Sequence, residues 1–271
     1  MTAANKRGFA GRRVVVIGSG WPIEGLDDIG RASALALARE GAEVAIAQPT
    51  SGLAEACAAE IRASHGAAEA FTYDPHDPVT LEALAAEIER AWSAVDVLVT
   101  HHVAAHAGGL EETTLEQWEE TLRVNLTGVF AATKAFLPLL RRGRDAAVVH
   151  VGSVDGRLGN PNILSYSASK GGVHALVHAL AADLARHGIR VNAIERAAST
   201  ALPVDARITA SVSAATPLAR IAEPAEYAAA IVFLASNAAS YITGVTLPVD
   251  GGRTAVTPGT SPGYGGYGTP I

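Results

Sequence analysis

The chain has 271 residues and a net charge of −6, with 21 Lys and Arg against 27 Asp and Glu. That balance excludes a nucleic-acid binder, which needs cations to neutralise a run of phosphates. Hydrophobic residues make up 49% and charged ones 18%, enough apolar side chain for a sizeable core and too much for a disordered chain. The single cysteine, Cys57, excludes an intrachain disulfide and fits a reducing, cytoplasmic setting. It sits in Ala-Glu-Ala-Cys-Ala-Ala-Glu, where it reads as a small buried hydrophobe.

Arg12-Arg13 precedes only the short apolar run Val14–Ile17, too brief for a secretory core or a membrane span. A buried strand explains it, so no membrane partner is expected. A helix over Ile29–Glu40 ends at Gly41, and Glu43–Ala47 gives the second strand. A helix over about Leu53–Ser64 and a strand over Ala70–Tyr73 follow. Val79–Trp92 carries Leu81, Leu84 and Ile88 at helical spacing, and Val95–Thr100 is the fourth strand. Thr113 or Thr114 then caps a long helix, with Glu116 and Gln117 at capping-box positions. Ala146–Val151 is the fifth strand. The helix through Tyr166–His187 bears a stripe of Val173, Leu176, Val177, Leu180 and Leu184, and Gly188 fits its C′ position. Ile189–Ile194, a helix over Ala225–Ala235 and Val245–Val249 complete the series.

Apolar strands alternating with amphipathic helices predict an α/β fold: a doubly wound parallel sheet of about seven strands, Rossmann-like, with helices on both faces. Residues 1–255 form one domain on this reading, and 256–271 a Gly/Pro-rich tail. Residues 197–223 read as a long irregular connection, the length of a lid or binding loop, with Pro203, Val204 and Leu218 as an apolar wall.

Two constellations carry chemistry. The first strand runs into Gly18, Ser19 and Gly20, and Asp28, Ile29 and Gly30 follow before the first helix. Glycines there let a backbone approach a pyrophosphate, and the helix offers its N-terminal amides. Position 48 is where an acid would hold a ribose hydroxyl and an Arg a 2′-phosphate. Gln48 does neither, leaving NAD or NADP open, while Glu24, Asp27 and Asp28 lean towards NAD. The second constellation is Tyr166 and Lys170, four residues apart and so on one helix face. A phenol is a poor acid/base near neutrality, and a neighbouring ammonium favours its ionised form. Ser153, just past the fifth strand, can donate to a substrate oxygen. Asn125, a mid-helix amide among Val124, Leu126 and Val129, points to a water or backbone group in need of a partner. His101, His102 and His106 come without paired cysteines or a Glu-x-x-His pattern and read as pocket-lining or loop-packing, not as a metal site.

Over roughly residues 11–252 the chain resembles the short-chain dehydrogenase/reductase family. The resemblance is carried by Tyr166-x-x-x-Lys170, Gly152-Ser153, Asn125-Leu126-Thr-Gly, Val95-Asp96-Val97-Leu98-Val99, Ile189-Arg190-Val191-Asn192-Ala193 and Pro248-Val249-Asp250-Gly251-Gly252. It implies hydride transfer between a nicotinamide cofactor (NAD or NADP) and a small secondary alcohol or ketone. It also implies Tyr166 as the proton-exchanging group, Lys170 holding the nicotinamide ribose, and Ser153 orienting the carbonyl. Asn125 would position a relay water, Asp74 would lie near the adenine, and the assembly would be a homotetramer or homodimer. The departures cluster at the cofactor. Gly18 to Gly30 spans six residues more than usual, Asp28 stands for a glycine, Thr100-His101-His102-Val103 replaces Asn-Asn-Ala-Gly, and Arg196-Ala197 replaces Pro-Gly. Two alternatives dispense with redox turnover. One is a dinucleotide-sensing or scaffold protein, permitted by that loop. The other is a dehalogenase-like enzyme, opposed by Lys170, because such enzymes carry Arg there.

Overall fold

The computed structural model describes residues 8–18, 29–200 and 205–256, so Ser19, Gly20, Asp28, Pro203, Val204 and all but the first residue of the tail lie outside the described residues. Its strands are β1 (Arg13–Gly18), β2 (Glu43–Gln48), β3 (Ala67–Thr72), β4 (Val97–His101), β5 (Ala147–Ser153), β6 (Arg190–Arg196) and β7 (Thr246–Val249). They form one parallel sheet in the order β3-β2-β1-β4-β5-β6-β7. The helices are α1 (Ile29–Arg39), α2 (Ser51–Ala63), α3 (Thr80–Ala91), α4 (Leu115–Leu122), α5 (Gly128–Leu140), α6 (Asp155–Leu158), α7 (Leu164–Leu184), α8 (Ala206–Ala214) and α9 (Pro224–Ala235).

Side chains alternate across a strand, so β1 feeds two cores. Val14 and Val16 join Leu37, Ile46, Ile61, Tyr227 and Ile231 on the face covered by α1, α2 and α9. Val15 and Ile17 join Leu81, Leu84, Ile88, Phe136, Leu139 and Leu184 on the face covered by α3, α5 and α7. Burial on both faces is why the strands read as continuous apolar runs. The exceptions are the two edge strands, β3 and β7, which are partly exposed throughout. The family-like motifs are mostly fasteners. Asp96 accepts the amides of Arg13 (2.8 Å) and Arg144 (2.6 Å), fixing where β1 and β5 enter the sheet. Asn192 bonds Ile242 O (2.9 Å) and the Val245 amide (3.1 Å), seating the turn before β7.

Several sequence expectations change, and β3 starts at Ala67, three residues before the expected Ala70. The stretch 197–223 is not irregular throughout, since α8 lies inside it. The long helix after Thr114 is interrupted by a π-turn, Arg123–Thr127. The short α6 was not foreseen. Finally, β5 and β6 each extend two residues further, bringing Ser153 and Arg196 into the sheet. The expected capping box is that of Thr114 with Gln117, and Gly188 takes the left-handed conformation (φ 70°) after the helix ends.

Candidate active site

Chain order reverses between β1 and β4, whose carboxyl ends pair Gly18 with His101. In open α/β sheets that crevice is where ligands bind. Ser153 closes β5 on the same edge, and its Oγ accepts the Asp155 amide (3.2 Å), leaving the hydroxyl proton to donate outward. The chain then turns through α6 and back into α7. The two helices touch at Gly156, where an added Cβ would come within 2.6 Å of Gly171 N and of Lys170 C. Only glycine permits that approach, which holds the Ser153 turn against the helix bearing Tyr166 and Lys170.

Tyr166 lies in the first turn of α7, buried, its Oη without a well-formed hydrogen bond. Lys170 Nζ sits 5.7 Å from the Tyr166 ring centroid and donates to His102 O (2.8 Å) and Val151 O (3.0 Å). The ammonium therefore has one hydrogen beyond those two acceptors. Burial, reinforced by the nearby Arg196 charge, pulls Lys170 down to about 7. Near neutrality it gains or loses a proton readily.

Asn125 is fully enclosed in the π-turn. Its Oδ1 accepts the Ala104 amide (2.6 Å), and its Nδ2 donates to Ala104 O (2.8 Å) and Ser169 Oγ (2.9 Å). Ser169 in turn donates to Tyr166 O (2.7 Å). The amide thus fastens the segment after β4 to the first turn of α7. Both of its hydrogens are committed to protein groups, which leaves the side chain little capacity to donate to a relay water.

His101 and His102 are buried and His106 pairs with Glu120 (2.9 Å). Among the described residues, no three metal-ligating side chains converge. His102 lies edge-on to Tyr73 (5.9 Å between ring centroids), and Tyr73 Oη donates to Gly18 O (3.2 Å). His150 Nδ1 bonds Thr100 Oγ1 (2.7 Å). Burial, then the Lys170 charge, pushes both His102 and His150 down to about 3, so each ring is neutral at physiological pH.

Sequence reading noted Arg196 only as a departure at the end of β6 and assigned Glu195 and Arg196 no role. Glu195 Oε1 accepts from Arg157 (2.8 Å) and lies 3.8 Å from His174 Nδ1. The close packing of His174 also explains Gly152, where a Cβ would meet its Nε2 at 2.7 Å. Arg196 is register-paired with Ser153 across β5–β6. Burial is the largest single influence and acts to lower its pKa, but the Tyr166 phenol beside it, together with Tyr227 and Asp155, makes the net direction upward. The two groups are adjacent without the alignment of a proper hydrogen bond, and the adjacency is what matters. The signal available in the sequence was a Glu-Arg pair closing β6 after the apolar Ala193-Ile194.

At the other end of the crevice, Gly18 closes β1, Ile29 and Gly30 open α1 and are buried, and Gln48 closes β2. A Cβ at Gly18 would meet the Gln48 amide at 2.7 Å. Asp74 is exposed, and its Oδ1 accepts the His76 amide (2.8 Å). A separate cavity of about 470 Å³ lies beyond β6 and β7, lined by residues including Ala197, Thr216, Leu218, Tyr227 and Gly251. It does not include Tyr166, Ser153 or Lys170, so the chemistry is located by the convergence of those three.

A doubly wound sheet with an open switch point and a Ser–Tyr–Lys set at its edge defines a dinucleotide-linked oxidoreductase. Comparison agrees. The family model described as enoyl-(acyl carrier protein) reductase matches residues 26–254. The chain is 37% identical to cis-4-hydroxycyclohexanecarboxylate dehydrogenase of Sinomonas cyclohexanicum, covering 92% of this chain and 98% of that one. It is 32% identical to 2-(S)-hydroxypropyl-CoM dehydrogenase 3 of Xanthobacter autotrophicus, covering 84% and 93%. The crystal structure of gox2181 superimposes with a TM-score of 0.83 at 28% identity, covering 93% and 99%. The chain belongs to the short-chain dehydrogenase/reductase family. It is an oxidoreductase that interconverts a secondary alcohol and a ketone with a nicotinamide cofactor. The scaffold and dehalogenase-like alternatives find no support.

Proposed function

We propose that Tyr166 exchanges the proton at the substrate oxygen while Ser153 Oγ donates a hydrogen bond to the same oxygen. The observation that carries this is the buried Tyr166 hydroxyl, without a well-formed hydrogen bond and one helical turn from Lys170. The remaining hydrogen of Lys170 serves a ribose hydroxyl. Asn125 holds the His102–Ala104 segment so that the acceptor on His102 stays in place for Lys170. The switch-point residues fit a dinucleotide, because Gly18, lacking a Cβ, lets the Gln48 amide pack directly against the end of β1, and the buried Ile29 and Gly30 open α1. Gly18, Ser19, Gly20, Asp28, Ile29, Gly30, Gln48 and Asp74 would hold it, together with Tyr166 and Lys170. When bound, the nicotinamide supplies or accepts the hydride.

Gln48 brings no positive charge to a 2′-phosphate, and Glu24, Asp27 and Asp28 repel one, which favours NAD over NADP. The substrate is a small secondary alcohol or its ketone, as the names of the Sinomonas and Xanthobacter dehydrogenases would suggest for a relative. We further read the protein as a cytoplasmic homo-oligomer, a tetramer by family resemblance. No described helix is long and apolar enough to cross a membrane. The test is Tyr166→Phe. Turnover should fall about 10²- to 10⁴-fold, the usual worth of a positioned acid/base, with NAD(H) binding retained by fluorescence. Wild-type protein that binds neither NAD(H) nor NADP(H) would sink this reading.

A further inference from the structure

We propose that Arg196 anchors a carboxylate on the substrate, close to the reacting carbon, so that the chain acts on hydroxy acids and their oxo-acid partners. This rests on the oxidoreductase reading of Tyr166 and adds the substrate class.

The first ground is placement. Arg196 is the last residue of β6 and pairs in register with Ser153, and Val154 N donates to Arg196 O (3.0 Å). Residues in register on neighbouring parallel strands project to the same side of the sheet. The guanidinium therefore leaves beside the Ser153 hydroxyl and comes to rest against the Tyr166 phenol. A substrate oxygen bonded to Tyr166 and Ser153 would have this cation as its neighbour.

The second ground is what the guanidinium lacks. Among the described residues, buried Arg12 and half-buried Arg190 are occupied. Arg12 bonds the carbonyls of Ala235 and Asp145, and Arg190, at the opposite end of β6, bonds those of Leu234 and Ser236. Arg196 has one hydrogen bond by comparison, to the carbonyl of its own neighbour Ala197 (3.3 Å), and its enclosed Nε has no partner. It forms no ion pair among the described residues. Glu195 projects to the other side and is held by Arg157 and His174, and Asp155 acts on Arg196 only through space. A half-buried cation with its Nε enclosed and no counter-ion is costly, and Lys170 adds a second positive charge nearby. A structural arginine would be tied down, whereas this one is open to an incoming anion.

The third ground is chemistry. A guanidinium fork matches a carboxylate with two parallel hydrogen bonds. Tyr166 and Arg196 each reach a ligand at about 3 Å. Since they are adjacent, the carboxylate oxygens lie roughly two or three bonds from the carbon that changes oxidation state. This fits 2- and 3-hydroxy acids better than longer ones.

Isothermal titration on the full chain tests this, with and without saturating NAD or NADP. The probes are pyruvate, 3-oxobutanoate and 4-oxopentanoate, each beside its neutral amide, with acetate as an anion that lacks the ketone. Wild type should bind the better of the first two acids about tenfold or more tightly than its amide. Arg196→Met should abolish that preference, and Arg196→Lys, which keeps the charge but not the fork, should retain part of it. If Arg196→Met does not fold, the partial loss in Arg196→Lys carries the test. Three results overturn the proposal: no acid preference in wild type, a preference unmoved by both variants, or acetate binding as tightly as the oxo acids, which marks a free-anion site. Dinucleotide binding and hydride transfer are measured separately on the same preparations. Acid binding that depends on Arg196 without hydride transfer would leave this site standing and remove the oxidoreductase reading instead.

Discussion

Replacing Asn125 by Ala removes three hydrogen bonds of 2.6–2.9 Å at once. Each is neutral, and such bonds contribute about 1 kcal/mol apiece net of what water would offer. Ala104 is only half-buried, so water can partly replace its lost contacts, whereas Ser169 Oγ is enclosed and cannot be rescued. The expected loss is about 2–4 kcal/mol, or a fall in Tm of about 5–12 °C for a domain of this size. Asn125→Asp should be no milder, because it keeps the acceptor for the Ala104 amide, loses both donors and buries a charge. Urea denaturation and calorimetry at matched protein concentration measure the loss, and an unchanged m-value shows that the unfolded state is not responsible. Turnover should fall about tenfold or more beyond the stability effect, since the loosened segment includes the carbonyl that holds Lys170. A variant within about 0.5 kcal/mol of wild type would refute the reasoning.

Lys170→Met should change how stability depends on pH. In the folded protein Lys170 titrates at about 7, against about 10.4 for an unfolded lysine. The unfolded chain thus binds more protons between these values, and wild-type stability rises with pH across that window. The full effect is about 5 kcal/mol, of which about 2 should appear between pH 7 and 9 in urea titrations. Lys170→Met should flatten that rise and be the more stable protein at pH 7, and equal slopes in the two proteins would contradict the assignment. Gly156→Ala forces a Cβ onto the backbone of Gly171 and Lys170. It should cost about 1–3 kcal/mol as overpacking does, and lower kcat more than Gly171→Ala, whose Cβ would meet only Gly156 O at 3.0 Å. Comparable kcat values for the two would show that the α6–α7 approach does not position Lys170.

The sheet was legible because strands buried on both faces must be apolar, and Val14–Ile17 or Val97–Val99 admit no other reading. The Tyr166–Lys170 pair was legible because helical geometry stacks residues four apart. What stayed hidden had no periodic signature. The π-turn at Asn125 inserts a residue that composition does not register, and α8 is built mostly from Ala, Ser, Thr and Val without a strong apolar stripe. Arg196 was visible as a departure from Pro-Gly, but its consequence depends on register with Ser153, which a single strand does not encode. Ser19, Gly20 and Asp28 lie outside the described residues, so the lengthened turn between β1 and α1 is known only as sequence.

The pairing of β1 with β4 has a kinetic side. Val14 lies against Val97 and Gly18 against His101, so this ladder joins segments more than eighty residues apart. Such contacts repay the loss of chain entropy late and slow the search for the native state. The β1–β2–β3 side can assemble from nearer neighbours, as can β5–β6, but neither holds both halves of the crevice. Docking β4 beside β1 joins them, placing Gly18 beside His101 across from the β4–β5 side that carries the acceptors of Lys170. Catalytic competence and the slowest pairing in the chain should therefore arrive together. During refolding, recovery of activity should track the last-formed β structure rather than the early helical signal.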